Sequence, residues 1–139
     1  MKIPPTYALC FNTSCPRAAT CLRYVAGKET LTTQKTALTV LPHVLQSDGV
    51  CEMYREHAKI TAAYGFSILL SNVRRMDVVP LREKIIDYLG NQSAYYRYNN
   101  GKRLLTPVQQ EHILTIFREK GYTDNLCFDN YCETYDFTD

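Results

Sequence analysis

Residues 94–122 read AYYRYNNGKRLLTPVQQEHILTIFREKGY, and how they are parsed decides the fold class. The second half is a helix with both ends marked. Thr106 stands as N-cap, Pro107 occupies the first helical position, where a missing N–H costs nothing, and Gln109 completes a capping box. Ile113, Ile116 and Phe117 form its buried stripe, and Gly121 is its C-terminal stop. The first half carries a different period. Alternating, β-favouring residues surround Asn99, Asn100 and Gly101, which supply the positive φ angles of a tight turn, so a β-hairpin is predicted near residues 94–105.

Working toward the N-terminus, residues 80–89 predict a helix that opens on Pro80, places Leu81, Ile85, Tyr88 and Leu89 on one side and closes at Gly90. From about Arg55 to Val73, Ile60, Tyr64 and Ile68 fall at i, i+4 spacing, and Ala63, Phe66, Leu69, Leu70 and Val73 widen the apolar surface. That pattern predicts a long helix in the middle of the domain. The threonine-rich stretch before it, broken by Pro42, reads as loop with a short strand or helical turn. A short helix from Pro16 to Ala26, ended by Gly27, is expected near the start. The tail, TDNLCFDNYCETYDFTD, mixes carboxylates with Phe128, Tyr131, Tyr135 and Phe137, aromatics enough to pin it down.

The sum is a mainly helical α+β protein, read as a single domain over residues 1–139. It comprises a cysteine-rich N-terminal segment (1–53), a helical core with a helix–hairpin–helix unit (54–121) and an acidic aromatic tail (122–139). A chain of this length buries a core without covalent help. No stretch has the apolar length of a signal-peptide core or a membrane span, so a soluble cytoplasmic protein with no membrane partner is expected.

In a reducing cytosol, clustered cysteines are read as ligands, catalytic groups or buried thiols before disulfides. Cys10, Cys15 and Cys21 fall within CFNTSCPRAATC, and Cys51 follows Asp48 and Gly49, which predict a turn. Four thiolates complete a tetrahedral zinc site, and thiolate is equally the ligand of iron–sulfur clusters. These four are therefore the predicted metal ligands, with zinc the expected ion, an iron–sulfur cluster the alternative and inert buried thiols the remaining reading. Such a site would pin the N-terminal arm and the first helix to the chain that follows. Cys127 and Cys132 repeat the spacing of Cys10 and Cys15 in the tail, but two cysteines make half a site, and buried packing is expected for them.

Signals for catalysis are sparse. His43, His57 and His112 lie in no recognisable motif, and there is no glycine-rich phosphate loop, no HExxH and no GxSxG. The tail carboxylates Asp124, Asp129, Glu133 and Asp136 lack the glycine and spacing of an EF-hand loop and read as a solvated acidic face. Charge is divided unevenly: residues 73–103 carry seven Lys/Arg against three Asp/Glu, and residues 104–139 carry two against seven. Within the basic section, Tyr96, Arg97, Tyr98, Lys102 and Arg103 combine aromatic and cationic side chains. Rings stack on bases while cations neutralise phosphates, and Tyr and Arg are equally favoured at protein interfaces. These five are the predicted contact for a nucleic-acid or protein partner.

CFNTSCPRAATCLRYVAG, AYGFSILL, LREKIIDYLG, the opening 94–122 stretch and FDNYCETYDF together resemble an uncharacterised family of small proteins common in gut anaerobes of the Bacteroidales. The resemblance covers nearly the whole chain. It implies a bacterial, cytosolic, self-contained domain of unknown function and transfers no catalytic residue; an anaerobic source would also narrow the preference for zinc over a cluster. The functional expectation is a small metal-stabilised binding or regulatory domain without catalytic activity, acting on a protein or nucleic acid. The alternative is a small enzyme or redox sensor using a reactive cysteine.

Overall fold

A computed structural model describes residues 1–44 and 51–138. The predicted turn at Asp48 and Gly49 lies outside the described residues. The elements are, in chain order, α1 (Leu22–Thr30), β1 (Lys59–Tyr64), α2 (Ser67–Ser71), α3 (Arg75–Leu89), α4 (Gln92–Asn99), α5 (Pro107–Glu119) and β2 (Asn130–Tyr135), with single 3-10 turns at Ala18–Thr20 and Pro42–Val44. The α+β class, mainly helical, is therefore observed. The chain gathers into two compact units, one of Met1–Lys59 plus the residues from Tyr135 onward, the other Ile60–Thr134.

In the unit formed by Ile60–Thr134, α5 starts as its sequence dictates. Thr106 Oγ1 accepts from the Gln109 N–H and Gln109 Oε1 accepts from the Thr106 N–H, with Pro107 at the first position. Ile113, Ile116 and Phe117 are buried, as their spacing predicted. α3 is longer than expected: it begins at Arg75 and passes through Pro80. Its first turn is held from outside, because Tyr122 Oη accepts from the Arg74 N–H and donates to the Asp77 carboxylate. An acidic side chain there also suits the positive end of the helix dipole.

Two predictions for this unit are corrected. The helix expected from Arg55 to Val73 is instead strand β1, a turn and the short helix α2. Ala63 exchanges both backbone hydrogen bonds with Leu105 (3.1 and 2.8 Å), and Gly65, at φ 90°, ends the strand. The apparent Ile60, Tyr64, Ile68 stripe is not the buried face, since Ala62, Ala63, Phe66 and Leu69 are the residues withdrawn from solvent. β1 pairs with β2, and the Asp129 N–H donates to the Gly65 carbonyl where β1 finishes and β2 begins. The pair is thus antiparallel.

The second correction is the hairpin near residues 94–105. Its first arm is helix α4, and the predicted helix–hairpin–helix unit is not formed. Asn91 caps the helix by accepting from the Ala94 N–H at 2.8 Å. Ala94, Tyr95 and Tyr98 then turn one face inward. An alternation of tyrosines and an i, i+3 helical pair coincide over so few residues, and core packing selects the second. The core they join is built on Phe66, Leu81, Ile85, Leu105, Phe117 and Phe128, with Phe66 stacked on Tyr95 at 4.9 Å.

The other unit centres on Tyr7, Leu9, Leu22 and Ala26, with Ile3, Tyr135 and Phe137 against them. Tyr7 meets Phe137 edge to face at 5.0 Å, and His57 stacks on Tyr135 at 4.9 Å. The aromatic tail is thus tied down here through Tyr135 and Phe137, while Tyr131 is half exposed. The first helix is displaced relative to expectation: Pro16 lies in a turn, and α1 runs from Leu22 past Gly27 to Thr30. Gly27 does not stop the helix. A Cβ there would lie 2.5 Å from the Cys10 carbonyl oxygen, so the glycine lets the Cys10 backbone pass against α1.

Candidate metal centre

The four predicted ligands reach one place by ordinary backbone pairing. Cys21 is the extended N-cap of α1, not part of the helix proper, and its carbonyl accepts from Tyr24 and Val25. The chain from Arg55 to His57 runs beside it: the Leu22 N–H donates to Arg55 O at 2.7 Å, the His57 N–H donates to Thr20 O at 2.8 Å, and Cys21 bridges Glu56 antiparallel. A turn in which the Tyr54 N–H donates to Cys51 O carries Cys51 back to the same side. Cys10 donates its N–H to Arg23 O at 3.1 Å, and Cys15 closes a turn by accepting from the Ala18 N–H.

Cys10, Cys15, Cys21 and Cys51 all line one small pocket, of about 20 Å³, together with Arg17, Arg23 and Tyr54. All are free thiols, Cys21 buried and the others half-buried. Burial pushes the Cys10 thiol above its ordinary pKa; the Asn12 backbone pulls it down, and the charges of Cys21, Cys15 and Cys51 push it up further. That direction is opposite to the one that activates a cysteine nucleophile. Among the described residues, no three His, Cys, Asp or Glu side chains already stand as a ready ligand set for a metal ion.

Arg17, Arg23 and Tyr54, unrecognised in the sequence, are among the other residues that line it. Arg23 is 2% exposed; its Nε donates to Met53 O and its Nη1 to Ala8 O, both at 2.7 Å, and its guanidinium lies over the Tyr7 ring. These two acceptors are 15 and 30 residues away in the chain, so neither announces its burial locally. Arg17 lies 3.4 Å from the centroid of the Tyr54 ring, and the Tyr54 hydroxyl donates to Thr20 O.

The remaining predicted residues lie elsewhere. Cys132 is on β2 and Cys127 in the loop before it, both half-buried, and neither lines the pocket. No histidine lines it either: His43 is in a 3-10 turn, His57 stacks on Tyr135, and His112 stacks on Tyr88 at 3.7 Å. Of the five predicted partner contacts, Tyr96, Arg97, Lys102 and Arg103 are exposed. Tyr98 is only 5% exposed; it accepts from Gln109 Nε2, and Arg103 packs over its ring at 5.0 Å. Its ring is a core element, because the helical turn of α4 aims it inward with Ala94 and Tyr95. Among the tail carboxylates, Asp129 is a correction: it accepts from the Ser67 and Ile68 N–H groups and so caps α2.

A model of a family of unknown function (DUF6078) matches residues 1–137. The chain belongs to that family. No curated protein and no solved structure matches it. Within this DUF6078 chain no described helix is long and apolar enough to cross a membrane.

Proposed function

We propose that this DUF6078 chain is a small binding domain without catalytic activity, stapled by a metal held on Cys10, Cys15, Cys21 and Cys51. One observation carries the reading: four cysteines from separate stretches of chain line a single pocket. Thiolate sets of this kind are used by structural zinc and by iron–sulfur clusters, and four protein ligands leave no open position for a substrate. Metal entry draws the sulfurs inward from the wider arrangement of the free thiols. Cys10, Cys15 and Cys51 lie outside regular elements, and Cys21 is at a helix cap, so the movement required is rotation of side chains about backbones that stay in place. Exposed Tyr96, Arg97, Lys102 and Arg103 offer an aromatic, cationic surface for an acidic partner.

The test is elemental analysis of anaerobically purified protein, followed by chelation. A structural site gives a stoichiometric metal, a fall in melting temperature on chelation, and destabilised Cys10→Ser and Cys21→Ser variants. Protein that carries no metal, melts identically with chelator, and alkylates rapidly at one of the four thiols while folded belongs instead to the reactive-cysteine class.

A further inference from the structure

We propose that the end of α4 and the turn that follows it bind single-stranded nucleic acid, with Arg97, Lys102 and Arg103 on phosphates and Tyr96 on a base. The inference rests on the acidic-partner surface of the reading above and is independent of the staple. Backbone pairing gathers the cations. The Arg103 N–H donates to Arg97 O at 3.1 Å, so the turn folds back and sets the two arginines side by side. Within the turn, the Lys102 N–H donates to Asn100 Oδ1 at 3.1 Å, and a Cβ at Gly101 would lie 3.0 Å from the Tyr64 ring. The Arg103 guanidinium, 5.0 Å from the Tyr98 centroid, rests on a ring that is itself buried and bonded to Gln109.

Charge and company select the partner. In this unit Arg118 pairs with Glu111 and Lys120 with Asp77, and among the described residues no carboxylate pairs with Arg97, Lys102 or Arg103. The negative end of α4 favours Arg97 in its last turn, but that end carries only about half an elementary charge. Most of three positive charges is therefore left for a ligand. Tyr96, one residue before Arg97, is 53% exposed, and its ring stands edge-on to Tyr95 at 5.5 Å. The other exposed side chains of α4, Gln92, Ser93 and Arg97, are polar, as is Asn100 after them. A protein interface surrounds its aromatic anchor with an apolar core that excludes water; here one ring stands among polar groups and cations. Single strands use that combination, because an unpaired base stacks on the ring while cations beside it neutralise the backbone. A duplex keeps its bases stacked on one another and leaves Tyr96 unused.

The experiment is fluorescence anisotropy of the full chain with labelled oligothymidine, and with duplex DNA and polyglutamate as competitors. Binding at low salt is expected, with log K falling against log salt at a slope of about −2 for three phosphates on a single strand. That slope weakens binding roughly 15–20-fold between about 50 and 200 mM salt. Arg97→Gln and Lys102→Gln, at exposed positions, each make the slope shallower by about 0.7. Tyr96→Ala binds about tenfold more weakly with its slope unchanged, and Tyr96→Phe binds as the wild type does. Thermal melting of each variant separates a lost contact from a lost fold. Unchanged slopes in Arg97→Gln and Lys102→Gln overturn the inference, as does tighter binding to duplex. Polyglutamate that competes as well as unlabelled oligothymidine, or a Tyr96→Ala that binds as the wild type does, overturns nucleic acid and leaves an acidic protein partner standing. Absence of binding to either polymer at low salt overturns the acidic-partner surface as well, while metal content continues to report on the staple alone.

Discussion

Gly27→Ala tests how closely α1 and the Cys10 segment are built together. In an exposed helix this change is stabilising by about 1 kcal/mol, because alanine is the better helix former. Here the added Cβ falls 2.5 Å from the Cys10 carbonyl oxygen and 3.2 Å from Phe11 Cε1. The first is backbone, tied by the Cys10 N–H to Arg23 O, so it cannot swing aside as a side-chain end does. Relief requires a shift of the whole segment, for which overpacking of a well-packed site costs about 1–3 kcal/mol. Because the close atom is tied backbone, the upper part of that range applies, about 2–3 kcal/mol; less the helix gain, the net is a loss of roughly 1–2 kcal/mol, or about 4–16 °C in melting temperature for a unit of this size. Thermal unfolding by far-UV circular dichroism, with and without chelator, reads it. If the staple is present, Gly27→Ala also releases metal at a lower chelator concentration, since the shift displaces Cys10. An unchanged or higher melting temperature refutes the reasoning, because it means that the two segments are not in this contact.

Removing the α5 cap with Thr106→Ala lowers unfolding free energy by about 1 kcal/mol, measured by urea titration, and Gln109→Ala added to it costs less than on its own. Gly65→Ala meets both a φ of 90° and the Asp129 carboxylate 2.5 Å from its Cβ, so a loss of about 2–4 kcal/mol is expected in the same assay. Burial holds the Tyr95 hydroxyl above the ordinary tyrosine pKa, although its Arg82 hydrogen bond works the other way. The unfolded chain therefore ionises first, and stability that is full below about pH 10 declines as pH rises beyond it; in Tyr95→Phe the decline is shallower. Replacing Arg97, Lys102 and Arg103 together by Ala costs no more than about 1 kcal/mol, chiefly the contact of Arg103 with the Tyr98 ring, as the side chains are otherwise exposed. It also abolishes any salt-sensitive oligonucleotide binding seen at low salt, by fluorescence anisotropy.

What the sequence disclosed follows from how local each cause is. α5 was legible to the residue because its cap, first proline and stripe all lie within its own span. α4 was misread because AYYRYNN satisfies two periods at once, and the tie is broken by Asn91, just before the stretch, and by a core contributed from Phe66 and Phe117. β1 was misread for the same reason: its pairing partners, Leu105 and β2, are far along the chain. The cysteine grouping could be guessed from residue chemistry, since thiols have few roles. Arg17, Arg23 and Tyr54 could not, because what distinguishes Arg23 from a surface arginine includes two distant carbonyl oxygens, of Ala8 and Met53.

The division of the chain into Ile60–Thr134 and a unit made from both sides of it bears on the order in which a ribosome can deliver the parts. The contiguous unit has all its residues once Thr134 has emerged, and at about 5–20 residues per second domains generally settle as they appear. The unit that bears Cys10, Cys15, Cys21 and Cys51 starts to be made before the contiguous one yet waits longer, for its core lacks Tyr135 and Phe137 until they are synthesised. During that interval Tyr7 and His57 lack their aromatic neighbours, while all four cysteines are already available. If the proposed staple is present, early ligand capture would hold the half-built unit together until Tyr135 and Phe137 arrive.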